Sequence, residues 1–190
     1  MPTFLTLPDA SAPDGPTPPH LVFVGLPGSG KSTIGRALAE ALGRPYLDVD
    51  VEIERRVGTT IADIFATKGE PYFRNLEQQV TQEVAAWRGG LILCPGGGWI
   101  TNPGAITAIR PPARLIWLKV RPVEALRRMG EQAQRRPLLS RMNPGAELEQ
   151  LLKEREPLYA RADLSINTEM FPMPRILERI RLEAAAWDMV

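Results

Sequence analysis

The sequence predicts an α/β fold, a parallel five-stranded sheet flanked by helices, on three observations. Short, continuous apolar runs alternate with amphipathic helical stretches, the pattern of strands buried on both faces. Three distinctive segments, two of them glycine-rich and one acidic, lie at the ends of such runs, where ligands collect in parallel α/β sheets. The length and composition, 190 residues with 44% apolar and 24% charged, suit one domain with a full core.

Each element has its own warrant. Leu21-Val22-Phe23-Val24 is the first strand, followed by a glycine-rich turn and a helix with Ile34, Leu38 and Leu42 on one face. Residues 46–50, Tyr-Leu-Asp-Val-Asp, read as a second strand ending in acidic side chains. Leu76, Val80, Val84 and Trp87 recur at helical spacing, and Gly89-Gly90 ends that helix. Residues 91–94 and 114–118 are the third and fourth strands, the latter followed by a helix over about 122–130. Residues 164–166 form a short fifth strand before a last helix carrying Ile176, Ile180, Ala184 and Trp187. Residues 1–19, with six Pro and no Lys or Arg, read as a disordered leader, leaving 20–190 as a single domain.

Composition excludes several classes. One Cys forms no internal disulfide, and one His, His20, rules out His-based metal clusters. A net charge of +1 gives no support for a broad nucleic-acid surface. The apolar runs are too short to span a bilayer, and the leader has neither the basic start of a signal peptide nor the Arg of a transit peptide. A cytoplasmic protein with no membrane or nucleic-acid partner is expected. Of the 23 basic residues only four are Lys; most of that bias reads as base composition, the remainder as Arg used to recognise anions.

The strongest motif is Gly25-Leu26-Pro27-Gly28-Ser29-Gly30-Lys31-Ser32, a complete G-x-x-x-x-G-K-S placed after a strand and opening a helix. Its glycines let backbone N–H groups converge on an anion beside a helix N-terminus. Lys31 would reach the terminal phosphates and Ser32 would ligate Mg2+, so the motif predicts an ATP or GTP site. Asp48 and Asp50, if on a strand, face one side and suit a metal-bound water and an acceptor hydroxyl; alternatively, one of them caps a helix starting at Val51. Arg74 at a helix start, disfavoured there by the helix dipole, is within one turn of Glu77, which could hold it. Gly96-Gly97-Gly98 suggests close approach to the main chain, or a plain tight turn. Cys94 reads as a small apolar group, and the Trp residues as core, except Trp99, which could line a pocket. The Arg-rich stretch from Glu131 to Asn143 reads as a surface loop or a movable lid.

Taken in order, G-L-P-G-S-G-K-S-T, D-x-D, F-R-x-x-E, G-G-G, R-P-L-L at 136–139 and R-x-P-L-Y at 155–159 resemble shikimate kinase across residues 20–190. The resemblance implies a P-loop NTPase three-layer fold with a substrate-binding helical segment at about 50–80 and a mobile lid at about 131–145. It implies ATP-dependent phosphorylation of shikimate to shikimate 3-phosphate in aromatic amino acid biosynthesis, by a monomer using one Mg2+. Gly28, Ser29, Gly30, Lys31, Ser32 and Thr33 would bind ATP phosphates, with Ser32 and, through water, Asp48 on the metal. Asp50 would hold the ring hydroxyls and accept a proton. Arg74, Arg155, Gly97 and Gly98 would hold shikimate, Arg128 would pack near the adenine, and Arg136 would close over ATP from the lid. Lys31, Asp50 and Arg136 would thus be the catalytic set. Pro95 and Trp99 depart from the family's usual glycine-loop flanks, and residues 170–174 lack a late Arg seen near the adenine in some relatives. A gluconate kinase, which also takes a carboxylate-bearing polyol, should lack the joint G-G-G and R-P-L-L pattern. A non-catalytic nucleotide switch would not need the whole set.

Overall fold

A computed structural model of the chain describes residues 17–87, 89–110, 112–130 and 143–188. Its sheet has five strands, all parallel, in the order β2-β3-β1-β4-β5: β1 Leu21–Val24, β2 Tyr46–Asp48, β3 Ile92–Cys94, β4 Arg114–Lys119 and β5 Leu164–Asn167. The helices are α1 Lys31–Leu42, α2 Val49–Val57, α3 Ile61–Ala86, α4 Pro103–Ile109, α5 Pro122–Met129, α6 Pro144–Tyr159 and α7 Met173–Trp187.

Strand alternation builds a core on each face of the sheet. Val22, Val24, Leu91, Leu93, Leu115 and Trp117 pack against residues of α2, α3, α4 and α6. Leu21, Phe23, Ile92, Cys94, Ile116 and Leu118 face α1 and α7. Because both sides of every central strand are covered, nothing polar interrupts the runs. A third, smaller cluster joins Leu26 of the glycine-rich loop to Ala125 and Met129 of α5 and to Leu148 and Leu151 of α6.

The five expected strands are present, but the expected second strand is shorter. It stops at Asp48, and α2 begins at Val49 rather than Val51. Asp48 is the helix N-cap, its Oδ1 accepting from the N–H of Asp50 and of Val51 at 3.1 and 3.4 Å. The capping alternative is therefore realised, and the same-side argument from strand geometry is not. The helix expected around Leu76 to Trp87 is longer, α3 being broken at Gly69 (φ 79°, ψ 172°) with Pro71 opening its second half. Trp87 caps this helix and stacks on His20. Trp99 does not line a pocket. A single 3-10 turn, Trp99–Thr101, folds it inward, where it is wholly buried and donates its Nε1–H to Thr81 Oγ1 at 3.0 Å. The expected lid falls at 131–142 outside the described residues, and 143–145 form the cap and first turn of α6. Residues 1–16 of the expected leader are outside them too.

Ionic contacts fix α2 on α3. Arg56 is held between Glu52, one turn back, and Glu83 of α3, with N–O distances of 2.7 Å to each. On the other face, α1 presents Gly35 to β3, and a Cβ there would collide with Cys94 Sγ and stand 3.1 Å from the Tyr46 ring. Cys94 is buried, its Sγ–H directed at the Lys31 carbonyl at 3.3 Å, and burial pushes its pKa up to about 12. Gly35→Ala should therefore lower stability by about 1–3 kcal/mol through overpacking, despite alanine's better helix propensity. The urea unfolding midpoint measures this, and adding Cys94→Ala should recover most of the loss. A Gly35→Ala protein more stable than its parent would contradict the packing.

Candidate active site

The strand order decides which loops meet. β3 lies between β1 and β2, so the loop after β3 stands between the glycine-rich loop after β1 and the acidic pair after β2, all at the carboxyl edge of the sheet.

The first loop has the geometry an anion requires. Gly28 and Gly30 have φ of 78° and 95°, and a Cβ on Gly28 would collide with the Ala125 carbonyl, so neither position suits a side chain. Gly30 leads directly into α1, whose first N–H groups lack partners within the helix. Lys31 is nearly buried and curls back, its Nζ donating to the carbonyls of Gly25 and Leu26 at 2.9 and 3.0 Å. Ser32 donates to Asp48 Oδ2 at 2.9 Å. Asp48 thus divides its oxygens between capping α2 and holding the loop's hydroxyl. A hydroxyl and a carboxylate at one edge are hard oxygen donors of the kind Mg2+ takes when phosphates and water complete its shell. Among the described residues no group of three or more His, Cys, Asp or Glu side chains forms a metal site.

A cavity of about 650 Å³ opens over this loop. Gly28, Gly30, Lys31, Ser32, Thr33, Asp48, Asp50, Gly96 and Gly97 line its polar end. Arg128, Thr168, Phe171, Met173 and Ile176 line the other end. Arg128 is fixed there, its Nε on Glu124 at 2.8 Å and its two Nη atoms on the Thr168 hydroxyl and carbonyl at 2.8 and 3.0 Å. No sequence motif marks Phe171 and Met173 as cavity residues. The one available signal was a pair of bulky apolar residues, Met170 and Phe171, in the turn between a strand and a helix, and both are exposed.

Gly98, Arg74 and Arg155 do not line this cavity; Gly98 and Arg74 meet it through the glycine loop. A Cβ on Gly96 would stand 2.9 Å from Asp50 Oδ1, and one on Gly97 would stand 2.9 Å from Pro27 Cδ. A Cβ on Gly98 would collide with Arg74 Nη2 and lie 2.9 Å from Nη1. Each glycine makes room for a different member of the site. The Gly97 carbonyl accepts from the Tyr159 hydroxyl at 2.9 Å, one helical turn after Arg155. Arg155 is buried, and its Nη1 has no hydrogen-bond partner among the described residues, an expensive arrangement for a charged donor. Arg136 lies outside the described residues.

Arg74 stands one turn after Pro71, at the start of the second half of α3, so the sequence's expectation of a helix start holds past the break. Its Nη1 donates to Glu77 Oε2 at 2.6 Å and its Nη2 to Glu70 Oε1 at 2.8 Å. Asn102 Nδ2 donates to the Arg74 carbonyl at 2.9 Å. Glu77 is wholly buried, and its Oε1 has no hydrogen-bond partner among the described residues. Burial raises the Glu77 pKa to about 7 against the pull of Arg74, and the neighbouring carboxylates of Asp50 and Glu70 push the same way as burial.

This has a consequence for stability. The folded carboxyl titrates near 7 and the unfolded one near its ordinary value. The stabilisation due to the Glu77 proton is therefore complete at low pH and is lost as pH rises through the folded value. Glu77→Gln has no such proton to lose. Its Tm relative to the parent should rise between about pH 5 and about pH 8; thermal melts across that range showing a constant difference would contradict the raised pKa.

Comparison with known proteins agrees with this geometry. The family model for shikimate kinase matches residues 27–183. A shikimate kinase of Mycobacterium tuberculosis is 45% identical over 151 residues, 79% of this chain and 84% of that one. The structure of a shikimate kinase from Acinetobacter baumannii in complex with shikimate superposes with a TM-score of 0.83 at 37% identity, covering 90% of this chain and 95% of that chain. A gluconokinase from Sinorhizobium meliloti covers 90% of this chain and 92% of its own with a TM-score of 0.56 at 18% identity, a likeness of fold alone. By sequence and by structure, the chain belongs to the shikimate kinase family.

Proposed function

We propose that the chain transfers the γ-phosphoryl group of ATP to a ring hydroxyl of shikimate, with the P-loop holding the donor and the glycine loop joining it to the acceptor side. The observation that carries this reading is the three-glycine loop itself, against which Asp50, the P-loop residue Pro27 and Arg74 are packed one per glycine. A nucleotide-binding protein without an acceptor has no need of such a junction.

In this reading Gly28, Ser29, Gly30, Lys31, Ser32 and Thr33 hold the phosphates, and Arg128, Phe171 and Met173 border the base. Mg2+, held by Ser32 and through water by Asp48, would neutralise charge on the β- and γ-phosphates. Asp50 accepts the hydroxyl proton as that oxygen bonds to the γ-phosphorus and the bond to the β–γ bridging oxygen breaks, releasing ADP. Arg74 and Arg155 take the acceptor carboxylate, the anion their planar donor sets match, with backbone contacts from Gly97 and Gly98. The unmatched Nη1 of Arg155 supports that role. Arg136 completes the charge on the transferring group, an assignment resting on the R-P-L-L resemblance. The acceptor's identity is supported by the A. baumannii relative, whose structure contains shikimate.

The direct test is ATP-dependent phosphorylation in a coupled assay, with shikimate and gluconate compared as acceptors. Shikimate should turn over with at least tenfold higher kcat/KM, a ratio of about 1.4 kcal/mol or more. Nucleotide binding without phosphorylated product would return the chain to the switch class. Arg74→Ala should raise KM for shikimate by about tenfold or more and leave KM for ATP nearly unchanged. An equal loss on both substrates would contradict its place on the acceptor side.

A further inference from the structure

We propose that Glu70 is a positioning residue for the acceptor: with Glu77 it clips the Arg74 guanidinium from two sides, so that one N–H on each Nη atom remains to form the edge that meets the acceptor carboxylate. The proposal rests on the reading above, that Arg74 binds this carboxylate, and adds how the side chain is aimed.

The argument is a count of donors. A guanidinium has five N–H groups, one on Nε and two on each Nη. Glu77 Oε2 takes one from Nη1 at 2.6 Å. Glu70 Oε1 takes the Nε–H at 3.1 Å and one from Nη2 at 2.8 Å. Among the described residues this leaves one donor on Nη1 and one on Nη2, a pair spaced for bidentate contact with a carboxylate. Both Nη atoms lie against Gly98, where the missing side chain leaves them room.

The two carboxylates are not equivalent. Glu77 lies three residues after Arg74 and its side chain is fully buried, whereas Glu70 lies four residues before it and its side chain is half exposed. The break at Gly69, immediately before Glu70, sets the start of the second half of α3 and so the side from which Glu70 reaches Arg74. One grip is rigid and the other faces solvent. Without Glu70 the arginine would keep one hydrogen bond, from Nη1 to Glu77, beside its contact with the Phe73 ring, and could turn about that bond.

Charge and position predict opposite signs. If Glu70 acted only through its negative charge, its removal would strengthen binding of an anionic acceptor. If it acts by aiming Arg74, removal weakens binding. The test uses the full chain with Glu70→Ala and Glu70→Gln, assaying shikimate, shikimate methyl ester and ATP. Glu70→Ala should raise KM for shikimate about three- to tenfold, with the loss carried by KM. The methyl ester, which lacks the anionic carboxylate, should change less, so that discrimination between the two acceptors narrows. Glu70→Gln, whose amide oxygen can still accept both N–H groups, should recover most of the loss. Circular dichroism melts showing all variants folded at the assay temperature make the comparison valid. An unchanged or lowered KM for shikimate in Glu70→Ala overturns the proposal. Arg74→Ala is the separate control: if it leaves the discrimination between acid and ester intact, the assignment of Arg74 fails and the role of Glu70 fails with it. A normal response to Arg74→Ala beside an unresponsive Glu70→Ala sinks the clip alone.

Discussion

Three consecutive residues without side chains let the glycine-rich loop after β1, the start of α2 and Arg74 of α3 share one wall, and the rest of the candidate site is arranged around that backbone. Gly96, Gly97 and Gly98 are approached by Asp50, Pro27 and Arg74 in turn, so a side chain at any of the three would push one of these groups away. The sheet makes this possible. With β3 between β1 and β2, the loop it feeds lies between the two other loops, and the buried Tyr159 pins it from the far side through the Gly97 carbonyl. Strand order determines adjacency, and the absence of Cβ atoms turns adjacency into contact.

Around that wall the charges are held under strong local constraint. Arg74, Arg155 and Lys31 are cations in a partly desolvated setting, and Glu77 is a carboxyl whose burial competes with its arginine. Placing Glu77 against Arg74 costs desolvation on both sides, and the hydrogen bond between them fixes the guanidinium beside Gly98. Lys31 is constrained in the same way, its ammonium held over the glycine-rich loop by the carbonyls of Gly25 and Leu26.

Much of the fold was legible in the sequence because its strands are covered on both faces. A run such as Leu21–Val24 has no polar interruption, and all four residues are buried. The second strand was misread at its end because Asp48-Val49-Asp50 alternates like a strand while Val49 is buried equally well in the first turn of α2. The first half of α3 falls within the helical segment that the family resemblance implies at about 50–80, but periodicity alone does not mark it, because Gly69 and Pro71 interrupt the pattern. Trp99 was misjudged because a neighbouring glycine run implies open space, whereas the 3-10 turn after it sends the ring into the core. In the site, the P-loop and the Arg74–Glu77 pair are legible from spacing, since Lys31 bonds to Gly25 and Leu26 and Arg74 to Glu77 within one or two turns, whereas Asp50 meets the glycine loop from 46 residues away. Phe171 and Met173 could not, because only the crossing from β5 to α7 brings them to the cavity that holds Gly28 and Lys31.

Cys94 lies beneath the first turn of α1, opposite Gly35, and is the chain's one cysteine. Its thiol is kept protonated and shielded, so it cannot act as a nucleophile toward a disulfide reagent while β3 and α1 stay packed. Such a reagent reacts only when that seam opens, and the rate of its single release reports the opening of α1 from the sheet. The packing contact that disfavours a side chain at Gly35 thus also supplies a built-in clock for local unfolding, one that needs no label and no engineered residue.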